Sequence, residues 1–340
     1  MIGYASEMRA TELRTGFSSS RRTFFRSAGA LAGGALLARY APAGTAEAVL
    51  NATARQAGAQ PDPVAAMRAQ MGATPIESTA LANRLVMLSG PGGNVVVLHG
   101  PDGKIVVDSF VQPAWPRLKA LLDGLDDAPV RTLIDTHWHF DHTDNNASFR
   151  AAGAGIVAHE NTKTRLSQPH DLLGMHFEPS APAALPTETF GATRDIRTNG
   201  QEIHLLKVDS AHTDTDIFVH FATSNVLHMG DLFFNGFYPF IDAGTGGNIN
   251  GMIDGADRAL AMSDATTKIV PGHGPLGDRA ALQNYRNMLA TVRDRVRAQK
   301  HGGKTLADVQ AAKPSAEFDA AWGKGMMSAD AFIALVFSTL

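Results

Sequence analysis

The chain has 340 residues, of which 44% are hydrophobic, and its formal net charge is −3. This length allows one large domain or two smaller ones with a substantial core. The nearly balanced charge argues against a nucleic-acid-binding protein. No apolar run is long enough to predict a transmembrane helix in the mature protein. Cysteine is absent, which excludes disulfides and thiolate chemistry and leaves His, Asp and Glu to hold any metal.

Residues 1–48 are predicted to be a targeting segment. The paired Arg21 and Arg22 precede a weakly apolar stretch, rich in Gly and Ala, over residues 27–38. This pattern is typical of a twin-arginine export signal, and small residues suited to cleavage follow it. We therefore expect export by the twin-arginine translocon, a periplasmic or secreted product and no stable membrane insertion afterwards. A basic tail without a targeting role is the alternative.

The next segments predict an N-terminal extension followed by a sheet. Residues 49–80 are rich in Ala, Gln and Pro and contain one short amphipathic patch. Short β-branched runs separated by glycine turns then predict strands, at residues 85–88, 95–98 and 105–108. Helical spacing of leucines follows, and residues 130–134 predict a buried strand.

The second half repeats this order of strands and helices. Residues 167–189, rich in Pro and His, lack periodicity and predict a long loop over a site. Strands are predicted at residues 156–158, 202–208, 217–221, 225–227 and 268–270, and helices at residues 161–166, 248–262 and 282–298. The tail, residues 301–340, is predicted to be helical. Alternating strands and helices favour a layered α/β sandwich.

The most informative motif follows the strand at residues 130–134. It contains three histidines and one carboxylate within six positions: His137, His139, Asp141 and His142. Imidazole and carboxylate are ligands that zinc prefers. His137 and His139 alternate in extended backbone and can point the same way, whereas Asp141 and His142 lie past the bend and can serve a second metal.

Three more candidate ligands follow predicted strands in turns: His212, Asp231 in Gly-Asp and His273 in Pro-Gly-His. Each is weak alone, because a histidine or a Gly-Asp pair after a strand is commonly only a surface turn. Taken in order after the first motif, they indicate a metal centre that draws on four separate loops.

This ordered pattern resembles the metallo-β-lactamase superfamily, over about residues 85–300. The resemblance implies an α/β fold, the four-layer αββα sandwich, with a dinuclear site at one edge of the two sheets. Asp108 stands where the family usually carries Asp at the end of the third strand. The domain itself is placed at residues 81–300.

The resemblance also implies roles for each residue. His137, His139 and His212 would hold one Zn²⁺, Asp141, His142 and His273 a second, and Asp231 would bridge both. Two Zn²⁺ ions per chain are expected, with no further cofactor-binding residues. Zinc lowers the pKa of bound water towards about 7 and so supplies hydroxide at neutral pH. Asp141 would also accept a proton during catalysis. Carboxylates are expected to orient the imidazoles, and Asp135 and Asp214 are candidates for this role, with simple capping as the alternative.

The absence of cysteine and the presence of His139 indicate which branch of the superfamily this chain resembles. Some β-lactam-cleaving members use a single Cys as a ligand of the second metal, and this chain has no cysteine. Flavodiiron relatives carry a carboxylate at the position where this chain has His139. The ligand set resembles that of glyoxalase II, lactonases and general hydrolases.

The predicted substrate is a small molecule. The aromatic segment 232–242 is expected to form an apolar wall beside the metals, in which Tyr238 could polarise a substrate oxygen; packing in the core is the alternative for this tyrosine. We predict hydrolysis of a small ester, thioester, lactone or amide, with β-lactams included. Two alternatives remain: a mononuclear iron enzyme of the sulfur dioxygenase type, and a metal-binding accessory protein without turnover.

Overall fold

The computed structural model describes residues 62–340. The predicted export signal, residues 1–48, lies outside these residues, as does the first part of the predicted extension. Ten helices are found in the described region, at α1 (Pro63–Gly72), α2 (Trp115–Leu125), α3 (Phe140–Thr143), α4 (Asn146–Ala151), α5 (Glu160–Leu166), α6 (Ile249–Met262), α7 (Arg279–His301), α8 (Leu306–Ala311), α9 (Ala316–Trp322) and α10 (Ala329–Ser338).

The first half of the described chain forms a seven-stranded sheet and a separate small hairpin. The strands are β1 (Glu77–Ala82), β2 (Leu85–Gly90), β3 (Gly93–Leu98), β4 (Lys104–Val107), β5 (Val130–Ile134), β6 (Gly155–His159), β7 (His170–Leu172), β8 (Met175–Phe177) and β9 (Glu188–Phe190). The sheet order is β1-β2-β3-β4-β5-β6-β9, and β7 pairs only with β8. From β4 onward neighbouring strands are parallel, so their carboxyl ends lie at one edge of the sheet.

The second half forms a five-stranded sheet. Its strands are β10 (Thr193–Thr198), β11 (Gln201–Lys207), β12 (Ile217–Phe221), β13 (Val226–His228) and β14 (Lys268–Val270), in sequential order. They pair antiparallel except for β13 and β14, which are parallel. Here too the loops that follow β13 and β14 leave from the same edge.

Apolar side chains divide the fold into four layers. One cluster packs the first sheet on the second, with Ile134 and Val219 among its members. Leu118 of α2 packs on the outer face of the first sheet. Helices α6, α7 and α10 cover the outer face of the second sheet, where Phe332 is fully buried. The predicted four-layer αββα sandwich is confirmed.

Some segments differ from the sequence-based expectation. Residues 167–189 contain the β7–β8 hairpin and β9, because Leu172 and Phe177 are buried against α1. Strands β1 and β10 were not predicted: β1 is largely exposed and poor in β-branched residues, and β10 alternates with charged residues. In the region described, no helix has the length and hydropathy needed to cross a membrane.

Candidate metal centre

The predicted metal-binding side chains follow strands at neighbouring edges of the two sheets: Asp141 and His142 lie on the one-turn helix α3, and the other five lie in loops or turns. His137 and His139 follow β5, His212 follows β11, Asp231 lies in a short 3₁₀ turn after β13, and His273 follows β14. A parallel backbone bridge joins His273 to Phe234, the third residue after Asp231. Loops far apart in sequence therefore converge on one site.

The first group of candidate ligands contains His137, His139, His212 and Asp231. One nitrogen or oxygen of each side chain lies within 4.8 Å of the others. His139 Nδ1 and His212 Nε2 are 2.9 Å apart, and Asp231 Oδ2 lies 3.5 Å from His212 Nε2 and 3.9 Å from His137 Nε2. These atoms surround a common point, as the ligands of one ion do.

The second group contains Asp141, His142 and His273. His273 Nε2 lies 3.4 Å from Asp141 Oδ2 and 3.4 Å from His142 Nε2. Asp231 adjoins this group as well, because its Oδ1 is 3.2 Å from His142 Nε2 and its Oδ2 is 3.2 Å from His273 Nε2. The carboxylate of Asp231 therefore stands between the two groups, and their membership is the one that the family resemblance implies.

Unsatisfied polar atoms show that this cluster fits a cation. His137 Nε2 and Asp231 Oδ1 are buried and have no hydrogen-bond partner among residues 62–340. A buried polar group without a partner costs about 1–3 kcal/mol, and a carboxylate more. Metal ions that take imidazole nitrogen and carboxylate oxygen would satisfy both atoms. The donor set therefore suits one or two borderline divalent ions.

Asp108 orients His142 by binding the ring nitrogen that faces away from the other candidate ligands. Its carboxylate accepts a hydrogen bond from His142 Nδ1 at 2.8 Å, which leaves Nε2 of that ring facing the site. The same carboxylate accepts from the backbone N–H and the hydroxyl of Thr136, both at 2.8 Å. Asp108 has φ +64°, a left-handed conformation that is costly for a non-glycine residue. Such a strained, fully bonded carboxylate is the usual support of a ligating histidine.

Asp242 and the backbone of Phe240 orient the first group. Asp242 Oδ2 lies 3.2 Å from His139 Nε2 and accepts a hydrogen bond from the hydroxyl of Thr245 at 2.5 Å. The carbonyl oxygen of Phe240 accepts from His212 Nδ1 at 2.9 Å. Both contacts fix which ring nitrogen faces the cluster. Sequence reasoning missed Asp242, whose only signal is its place at the end of the aromatic segment.

The two aspartates that were expected to orient the imidazoles lie elsewhere. Asp135 is buried and accepts a hydrogen bond from Asn146 Nδ2 at 2.8 Å. Asp214 forms a two-pronged ion pair with Arg165 at 3.1 and 2.7 Å. Within residues 62–340 neither carboxylate hydrogen-bonds to a candidate ligand, so neither orients an imidazole directly.

Burial and neighbouring charges shift the pKa values of the clustered side chains in different directions. Burial lowers the pKa of His212 to about 4 and holds that of His137 well below its usual value. His273 is partly exposed, and although its surroundings disfavour the charged form, the carboxylates of Asp231 and Asp141 raise its pKa to about 9. Asp231 is buried, which alone would raise its pKa, but the neighbouring His273, His142 and His137 hold the pKa of this carboxyl well below its usual range. Near neutral pH and without a metal, His137 and His212 are therefore neutral and Asp231 is ionised, whereas His273 carries a proton that a metal ion would displace.

Tyr238 is not placed as the sequence suggested. Its hydroxyl donates to Asp319 Oδ1 at 2.7 Å and to the carbonyl of Ser315 at 3.3 Å. Its ring is buried and stacks on Phe332 with centroids 4.6 Å apart. The hydroxyl therefore binds the C-terminal segment and does not face the candidate ligands. The prediction that Tyr238 polarises a substrate oxygen is replaced by a packing role.

Comparison with protein families decides the classification. Residues 88–273, more than half of the chain, match the family model described as the metallo-beta-lactamase superfamily. The chain belongs to this superfamily. All seven candidate ligands fall within the matched residues.

Solved structures of superfamily members share the fold at low sequence identity. A metallo-beta-lactamase from Pontibacter korlensis matches with a TM-score of 0.53 and 17% identity, over 64% of this chain and 99% of that chain. The metallo-beta-lactamase IND-7 matches with a TM-score of 0.54 and 20% identity, over 64% and 98%. A metallo-beta-lactamase from Hirschia baltica gives 0.52 and 18%, over 63% and 98%. These similarities establish the architecture.

One curated relative is similar over a shorter region. The 2,4-dinitroanisole O-demethylase subunit alpha of Nocardioides sp. (strain JS1661) is 30% identical over 134 residues. The aligned region covers 38% of this chain and 38% of that protein.

Proposed function

We propose that this chain is an exported, metal-dependent hydrolase that binds two zinc ions and cleaves a small ester, thioester, lactone or amide, with β-lactams included. The observation that carries the proposal is the convergence of seven donor side chains in two groups around Asp231. Two buried donor atoms without a partner in the described chain, His137 Nε2 and Asp231 Oδ1, support it.

His137, His139 and His212 would hold the first ion, Asp141, His142 and His273 the second, and Asp231 both. Zinc bound by such ligands lowers the pKa of a coordinated water towards about 7, which makes hydroxide available at neutral pH.

Asp141 is the residue best placed to move a proton. Its carboxylate lies 3.4 Å from His273 Nε2 and 3.7 Å from His142 Nε2, and its side chain is more exposed than that of Asp231. It can therefore accept the proton of the attacking water and pass it to the leaving group, a role that contributes about 10²–10⁴-fold to rate. Asp108 and Asp242 hold the rings of His142 and His139 in place during this step.

The first test compares Asp141→Asn with Asp123→Asn. Asp123 is an exposed aspartate on α2, paired with Lys119, and serves as the matched control. We expect Asp141→Asn to lose hydrolysis of p-nitrophenyl esters, S-lactoylglutathione, a homoserine lactone and nitrocefin by at least about 10²-fold, while it retains much of its zinc. A wild-type protein that binds zinc but hydrolyses none of these classes would favour the accessory-protein alternative.

Export by the twin-arginine route is proposed from Arg21 and Arg22, which precede a weakly apolar stretch. Cell fractionation of the wild type and of the double variant with lysine at both positions tests it. We expect periplasmic or secreted wild type and a cytoplasmic variant; equal distribution would refute the twin-arginine route.

A second candidate reaction is hydrolytic cleavage of an electron-poor aryl methyl ether. It is favoured by the similarity to the dinitroanisole O-demethylase subunit. Water would supply the new phenol oxygen, the aryl–oxygen bond would break, and methanol would leave with the remaining proton. Incubation with 2,4-dinitroanisole followed by analysis of the one-carbon product tests it: methanol supports hydrolysis, formaldehyde indicates oxidation, and no product excludes the reaction for this chain.

A further inference from the structure

The metal centre is open to solvent on one side. The side chains of His273 and Asp141 are 22% and 12% exposed, whereas the other five candidate ligands are almost completely buried. A substrate therefore reaches the centre over His273 and Asp141, and the residues that border this opening determine which substrates fit.

Two phenylalanines follow one another outward from His273. The ring of Phe234 stacks on His273 with centroids 5.2 Å apart and an interplanar angle of 10°. Phe237 meets Phe234 edge-on at 6.1 Å and is only partly buried. Together they form an aromatic strip, Phe234 and Phe237, in which Phe234 is buried and Phe237 is partly exposed.

The C-terminal segment holds this strip rigid. The backbone N–H of Tyr238 donates to the carbonyl of Trp322 at 2.8 Å. Gly325 packs so closely on Phe237 that an added Cβ would lie 2.5 Å from the Cβ of that residue. A surface fixed before the ligand arrives loses little conformational freedom on binding, which favours affinity for a planar apolar group.

In the part of the chain that the structure describes, the carboxylates of the centre pair only with histidines. The ion pairs of Asp141 and Asp231 are formed with histidines alone within residues 62–340. No lysine or arginine pairs with them there, so the cations at this site would be the metals themselves. Beside these ligands, Phe237 offers apolar contact area.

Building on the proposed hydrolytic function, we propose that the substrate carries an aryl group, or an apolar group of similar size, that lies on Phe237 while the scissile bond lies over Asp141 and His273. Phe237 is then a specificity-determining residue of this enzyme.

The test compares p-nitrophenyl benzoate with p-nitrophenyl acetate on the zinc-loaded protein. Because the leaving group is the same, the change in the benzoate-to-acetate ratio of kcat/KM between variants reports the acyl group alone. We expect Phe237→Ala to lower this ratio by about threefold to tenfold, the range of a lost aromatic contact, and Phe237→Leu to lower it less. Phe337→Ala, which removes a partly buried phenylalanine from α10, serves as the matched control.

A second measurement does not depend on turnover. Titration calorimetry of benzoate and acetate on the zinc-loaded protein should show tighter binding of benzoate, and this preference should shrink in Phe237→Ala. If both esters are hydrolysed but neither ratio changes in Phe237→Ala, or if Phe337→Ala changes them equally, the aryl site is refuted while the hydrolase proposal stands. If no ester is cleaved but the binding preference follows Phe237, the hydrolase proposal fails and the aryl site is supported.

Discussion

Replacing Gly92 with alanine perturbs the second group of ligands without changing a ligand. Gly92 lies in the turn between β2 and β3 with φ +107°, and a Cβ added there would lie 2.8 Å from Cβ and 3.0 Å from the backbone oxygen of Asp141. These atoms belong to or adjoin the backbone and cannot swing aside. Since ordinary contacts begin near 3.4 Å, Asp141 or the turn must shift by about 0.6 Å, the difference between 3.4 and 2.8 Å.

This shift is large for a metal ligand. Distances in a metal site stay within about 0.2 Å of their usual values, and disturbing the support of a ligand costs about 10–100-fold in metal affinity. We therefore expect Gly92→Ala to bind the second zinc ion about 10–100-fold more weakly, with the first ion retained.

Gly153→Ala is the matched control. Gly153 has a similar φ of +93°, yet an added Cβ meets nothing within 4 Å. Gly153→Ala should lose about 1–2 kcal/mol of unfolding free energy, because a non-glycine residue at positive φ is strained, and Gly92→Ala should lose at least as much, because its Cβ also displaces Asp141. Equilibrium dialysis against a zinc buffer with elemental analysis gives the occupancy, and urea denaturation of the metal-free proteins gives the stability. Equal zinc occupancy in wild type and Gly92→Ala would refute the placement of Asp141 beside the turn as a ligand.

Two further predictions address the residues behind the ligands and the tyrosine of the aromatic segment. Asp242→Asn should weaken zinc binding at the first group by about 10–100-fold, because the carboxylate that holds His139 Nε2 is lost. Competitive titration with a chromophoric chelator measures the zinc affinity, and an unchanged affinity would contradict the role of Asp242. Tyr238→Phe should leave kcat/KM for hydrolysis within about twofold and lower the unfolding free energy by about 1 kcal/mol, since its hydroxyl binds Asp319 rather than substrate; a hundredfold loss of kcat would restore the catalytic interpretation of Tyr238.

Local sequence indicates where the candidate ligands converge, because each lies in the segment that follows a strand. The alternation of His137 and His139 in extended backbone already indicates a shared direction, and the turns at Asp231 and His273 follow short β-branched runs. Parallel strands place their carboxyl ends at one edge, so the convergence of these loops follows from the order of elements.

Sequence reasoning fails where a side chain's direction depends on distant segments. Asp242 supports His139 only because the segment after Asp231 folds back over the first group. Tyr238 faces the core because Asp319 and Phe332, about 80 and 94 positions along the chain, offer a hydrogen-bond acceptor and a stacking partner. No local pattern around Asp242 or Tyr238 carries this information.

The most direct test of the central claim is metal content and hydrolysis measured on one sample. The protein is stripped with chelator, titrated with zinc, and assayed after each addition for bound metal and for cleavage of p-nitrophenyl esters. We expect up to two zinc ions to bind per chain, and hydrolysis to appear as they bind and to be lost again on chelation. One iron per chain with oxygen consumption and no hydrolysis would contradict it.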